Sequence, residues 1–317
     1  MENKTMDTQP EQTPSEISAN ARVRQIAGLV IAAILLFGLG LGSGYLTWGK
    51  GNTQNGDNLA DLYDQINPKD GYTLPISYGD LGPQLLESGI LDYDRFAAIY
   101  ANAGNPLSAE QVVILQNGSD QKIIINAENA HFLLNYFWAV GLVNNNPILT
   151  QGPIVQNSDG QVERFASTGG WTLASKPVTE LYASIDLIRL TPEQQARVEE
   201  VAAAVYRPCC NNPTHFPDCN HGMAMLGILE LMASQGATTD DMFEAAKYIN
   251  AYWFPQQALE MALYLKANRE IDFADTDAKL VVGSQLSSSS GAQMVHADLQ
   301  SKGLLQQAPG QGGSCSN

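Results

Sequence analysis

The spacing of apolar and polar positions along the chain is mostly helical. In "TPEQQARVEEVAAAVY" (191–206), Val198, Val201, Ala202 and Val205 fall on one face, Thr191 stands as N-cap, Pro192 takes the first helical position and Gln194 completes a capping box. Pro208 should stop this helix. "HFLLNYFWAVGLV" (131–143) is almost continuously apolar and predicts a buried central helix ending near Gly141. "GMAMLGILELMASQG" (222–236) predicts another, capped by Asp218 or Asn220 and ended by Gly236. "TTDDMFEAAKYINAYWF" (238–254) starts at Thr238 and Thr239 and is halted by Pro255, and "QQALEMALYLKA" (256–267) is a last amphipathic segment. In "VVILQNGSDQKIII" (112–125), two β-branched runs flank Asn117 and Gly118, which predicts a hairpin. The fold class expected is mainly α with at most a minor two-stranded element, and the chain carries no internal repeat.

One apolar run differs in kind. Residues 26–48, "IAGLVIAAILLFGLGLGSGYLTW", contain no charge and are long enough to cross a bilayer as a helix. The run is longer than a cleaved signal's apolar core and follows a polar leader, so the expectation is an uncleaved single-pass anchor in the lipid bilayer. Lys4, Arg22 and Arg24 precede it and only Lys50 follows closely, which places the leader in the cytoplasm and the remainder outside. Glycines 38, 40, 42 and 44 form overlapping GxxxG patterns that would let two such helices approach as a homodimer. The organisation read from composition is a disordered leader (1–25), the anchor (26–48), a tether (49–58), a helical extracytoplasmic domain (59–303) and a disordered tail (304–317).

Of 317 residues, 44% are hydrophobic, enough for a substantial core, and the formal net charge of -16 argues against binding nucleic acid, whose phosphates need Lys and Arg. The chemistry concentrates in "YRPCCNNPTHFPDCNHGMAM" (206–225), which holds three of the four cysteines and two of the four histidines, and so marks this stretch as the place to look for a site. It is a proline-punctuated loop running into a helix start, where the positive end of the dipole favours thiolate. Cys209, Cys210, Cys219 and His221 supply a tetrahedral set for zinc, and thiolate with the thioethers of Met223 or Met225 suits copper as Cu(I). On an ideal helix His221, Met223 and Met225 cannot all face one point, so at least one methionine belongs to the core. His215 is a reserve ligand. Two other readings stay open: a structural disulfide from Cys219 to Cys209 or Cys210, with Cys315 as a distant partner for the odd thiol, and a thiol-disulfide exchange element serving an envelope protein.

The loop, the helix after it and the later "YWFP" resemble a group of single-pass membrane-anchored bacterial proteins, a likeness over the C-terminal half that implies no activity. The order of cysteine pair, Asp-Cys-Asn at a helix start and "TTDDMFEAAKYI" is similar to the three-helix thiol domain of the CcmH family of cytochrome c maturation proteins. Those proteins are membrane-anchored, face outward and handle thiols on apocytochrome. The resemblance implies Cys209 and Cys210 as the redox pair. In that family two residues separate the cysteines, whereas here they are adjacent and would close a strained eight-membered ring.

Other templates find no support. "FASTGGWTL" (165–173) offers Ser167 and Thr168 without a GxSxG elbow and reads as a turn packing Trp171 into the core. His131 reads as a hydrogen-bonded core residue, His296 as solvated, and Asp240 with Asp241 as helix-start acids. No Walker loop, dinucleotide fingerprint, HExxH or CxxCH is present.

Overall fold

The computed structural model describes residues 53–305. The elements are α1 (Thr53–Ile66), β1 (Tyr72–Gly79), α2 (Leu81–Ser88), α3 (Tyr93–Asn102), α4 (Ala109–Asn117), β2 (Ser119–Ile125) and α5 (Ala130–Val143). Four single-turn helices follow, α6 (Pro147–Thr150), α7 (Pro153–Gln156), α8 (Ala166–Gly169) and α9 (Val178–Leu181), with a 3-10 turn at Val162–Arg164. The C-terminal part is α10 (Pro192–Ala204), α11 (Asn220–Ser234), α12 (Thr239–Trp253), α13 (Pro255–Arg269), α14 (Ala278–Val282), α15 (Ser284–Ser287) and α16 (Ser289–Ser301).

The centre of the fold is the pair α5 and α11. Both are apolar on nearly every face and buried along most of their length, as a helix surrounded by others must be. They cross where Gly141 meets Gly227: a Cβ on Gly141 would lie 2.1 Å from the Met223 carbonyl oxygen, so only glycine permits this approach. Around the pair, α10 contributes Val198, Val201 and Ala202 and α12 contributes Met242, Phe243 and Ile249 to one core. A second, smaller core joins Leu62 and Ile66 of α1 to Leu259 and Leu265 of α13 and Val295 and Leu299 of α16.

Local signals set the helix ends. Thr191 caps α10 with a full capping box to Gln194, and Thr238 does the same for α12 with Asp241. Pro255 opens α13 at its first turn as well as ending α12.

The central helix ends at Val143, near Gly141 as expected, and that glycine serves the crossing. Several expectations are corrected. The hairpin at Asn117 and Gly118 does not form: Ser108 and Gln111 make a capping box that starts α4 across the first β-branched run, and Gly118 at φ +76° ends that helix. The second run is β2, and its antiparallel partner is β1, with Tyr72 opposite Ile125 and Gly79 opposite Ser119. A two-stranded element therefore exists with a different first strand, one whose Leu74, Ile76 and Tyr78 alternate into the core. The tether expected at 49–58 is helical from Thr53 onward, as part of α1. The serines at 287–290 lie within the expected domain, at the junction of α15 and α16, with Ser288 as cap. His296 is exposed, as expected, and in addition its Nδ1 lies 3.0 Å from Glu260 Oε2. Among the described residues no helix is long and apolar enough to cross a membrane, and the span expected at 26–48 lies outside them, as do the leader and Cys315.

Candidate metal centre

The loop between α10 and α11 is fixed at both ends and along its length. Asn250 of α12 donates to the Tyr206 carbonyl at 2.9 Å, and the Thr214 and His215 amides return to the Val205 and Ala202 carbonyls. From the other side Ser289 N donates to the Cys210 carbonyl, and Ser290 donates through both N and Oγ to Asn211 Oδ1. The start of α16 thus clamps the cysteine loop, a contact no local pattern reveals.

Within this frame Cys209, Cys219 and His221 bring one ligand atom each within 4.8 Å of one another, and Cys210, Asp218 and Cys219 do likewise. Cys219 is common to both sets. Its Sγ lies 3.5 Å from Cys209 Sγ, and Cys209, Cys210 and Cys219 are free thiols of intermediate exposure. Two sulfurs on a tetrahedral metal, each about 2.3 Å from it, stand about 3.8 Å apart, so the observed spacing is near a coordination edge.

Cys219 itself is the N-cap of α11, where its sulfur accepts from the Gly222 amide at 3.4 Å. Neither Asp218 nor Asn220 takes that place. Thiol donation from Cys209 and Cys210, reinforced by the charge of Arg207 and by His221, holds the Cys219 thiol well below the ordinary range against the effect of burial. Cys209 moves the other way, raised by its bonds to Cys210 and Cys219 and by burial. Cys210 is eased by Cys209, but Cys219 and burial push it up to about 11.

Arg207 is the residue the sequence pattern missed. It is 1% exposed, yet its guanidinium makes four hydrogen bonds: Nε to Cys219 Sγ at 3.1 Å, Nη1 to the Asn212 carbonyl at 3.0 Å, and Nη2 to the Phe216 carbonyl at 3.3 Å and Asp218 Oδ1 at 2.9 Å. Burial opposes its charge, and the surrounding sulfurs keep it protonated. Gly222 makes room for it, since a Cβ there would sit 2.4 Å from Nη2. The guanidinium thus bonds two members of the Cys210, Asp218 and Cys219 set, Asp218 and Cys219, as an internal cation. The Cys209, Cys219 and His221 set has the ligand types and spacing that could hold a metal ion.

His221 packs against the rings of Phe254 (4.5 Å between centroids) and Trp253 (5.6 Å), which restrict its imidazole. Met223 and Met225 are 0% and 1% exposed and belong to the main core. His215 lines a shallow surface pocket with Glu199. His131 sits beside Asn135 in α5, with its pKa lowered by burial and by the proximity of His221. In the "FASTGGWTL" segment Trp171 is buried and donates to the Ile90 carbonyl at 2.7 Å, as a turn packing that ring inward requires. Comparison with known proteins finds no matching family model, no matching curated protein and no matching solved structure.

Proposed function

We propose that the chain is a membrane-anchored extracytoplasmic protein that holds a soft metal ion, zinc or copper, in the loop at the start of α11. The observation that carries this reading is the convergence of Cys209, Cys219 and His221 within 4.8 Å, with the buried Arg207 beside them. Thiolate and imidazole are the ligands such ions prefer, and Cys210 belongs to the neighbouring set around Cys219. A buried guanidinium offsets part of the charge that several thiolates gather on one ion, which makes the cluster tolerable in a half-buried place. The anchor and the outward orientation rest on the uncharged run at 26–48 and the positive residues before it.

Elemental analysis of the full chain, purified in detergent without oxygen or chelators, tests the reading. Near-stoichiometric zinc or copper, lost in Cys219→Ser, is the expected result. A folded chain that carries neither ion, or a Cys219→Ser variant that keeps the full amount, refutes it.

A further inference from the structure

The two sulfurs of the Cys209, Cys219 and His221 set lie 3.5 Å apart, and the buried guanidinium of Arg207 stands 3.1 Å from one of them. We infer that the site holds its ion only while reduced: a small-molecule disulfide oxidises Cys209 and Cys219 to an internal disulfide, and the ion is expelled. This inference rests on the metal reading above and adds its regulation.

The pair is set by geometry. Cys209 Sγ and Cys219 Sγ are 3.5 Å apart, so side-chain rotation of about 1.5 Å brings them to bonding distance. Cys210 Sγ is engaged by the Asn212 carbonyl at 3.7 Å and Asp218 Oδ1 at 3.8 Å as well as lying beside Cys219. The adjacent pair Cys209 and Cys210 would need the strained ring already described. Cys209, Cys210 and Cys219 are each partly exposed as residues, which puts the pair near the surface that a small disulfide reaches.

The chemistry balances as two exchanges. The Cys219 sulfur attacks one sulfur of the small disulfide, forms a mixed disulfide and releases the first small thiolate. The Cys209 sulfur then attacks the Cys219 sulfur, closes the internal disulfide and releases the second small thiolate. Two protein thiolates lose two electrons, the small disulfide gains them, and its thiolates take up protons from water.

The ion loses more than two ligands in this step. While Cys219 carries negative charge, the guanidinium 3.1 Å away is its counter-charge. Once that charge is gone, Arg207 stays where it is, 1% exposed and held by two carbonyls and Asp218. A positive group that steadied the thiolate then faces a metal cation held by His221 alone. Arg207 thus converts ligand loss into repulsion, which makes release complete.

The test uses the full chain in detergent with zinc, which has no redox chemistry of its own. Zinc bound after desalting is counted for the reduced chain and for the same chain treated with oxidised glutathione, and the disulfide is mapped by peptide mass. The expected result is about one zinc per reduced chain and at least ~10-fold less after oxidation, with Cys209 joined to Cys219 and full reloading after reduction. Cys210→Ser should keep the response. A chain that binds zinc when reduced and retains it when oxidised overturns the gate alone, as does a disulfide that joins Cys210. A reduced, folded chain that binds no zinc overturns the metal reading beneath it.

Discussion

Glu230 lies in the middle of α11 with no exposure, and neither carboxyl oxygen completes a hydrogen bond among the described residues. Burial pushes its pKa from the ordinary 4.5 up to about 8, although the side-chain amides of Asn144 and Asn146 act in the opposite sense. The folded chain therefore holds this group as a neutral acid at pH 7, while the unfolded chain ionises it. Its contribution to stability is fully present below about pH 4.5, and it is lost progressively as the pH rises through about 8. At 1.36 kcal/mol for each pH unit, the loss is about 3 kcal/mol at pH 7 and about 5 kcal/mol by pH 9. Glu230→Gln removes the titration at nearly constant volume, so the variant should gain several kcal/mol over the parent at pH 9 and little at pH 5. Urea unfolding followed by tryptophan fluorescence at pH 5, 7 and 9 measures this. The comparison must be a difference between the two chains, because His131, with its pKa lowered, contributes in the opposite direction as the pH falls. Parallel stability curves for parent and variant from pH 5 to 9 would refute the reasoning.

Three further outcomes follow from other contacts. Gly141→Ala drives a Cβ to 2.1 Å from the Met223 carbonyl and should cost about 3 kcal/mol or more, read as a lowered urea midpoint. Thr191→Ala removes one half of the capping box on α10 and should cost about 1 kcal/mol by the same assay. Gly222→Ala pushes a methyl group against the Arg207 guanidinium, so zinc affinity measured by competition with a chromophoric chelator should fall by roughly tenfold or more, the equivalent of one lost charge-assisted hydrogen bond.

The helices were legible where local chemistry decides them. Thr191, Pro192 and Gln194 act as the pattern says, and so do Thr238 and the apolar face of α10. The strand pairing was not legible, because Asn117 and Gly118 carry the same letters whether they turn a hairpin or end a helix. What decided it lay upstream, in the Ser108 and Gln111 capping box, and in the alternation of Leu74, Ile76 and Tyr78 some forty residues away. Ser289 and Ser290 meet Cys210 and Asn211 across the loop, a contact that only the folded chain reveals.

The candidate site divides along the same line. The clustering of Cys209, Cys210, Cys219 and His221 is a local fact and was readable; the burial of Met223 and Met225 in the core follows from an α11 that is apolar on every side. Arg207 was hidden, since beside Pro208 it reads as the end of a helix. Its partners at 212, 216, 218 and 219 converge on it only when the loop doubles back. Yet the loop does leave a trace of that return. Gly222 stands in the first turn of a helix, where glycine lowers helix stability, and the compensation is the space it gives to a guanidinium. A glycine early in a helix that follows a cysteine loop is thus worth asking about: what large side chain comes back over it, and what charge does that side chain bring to the sulfurs?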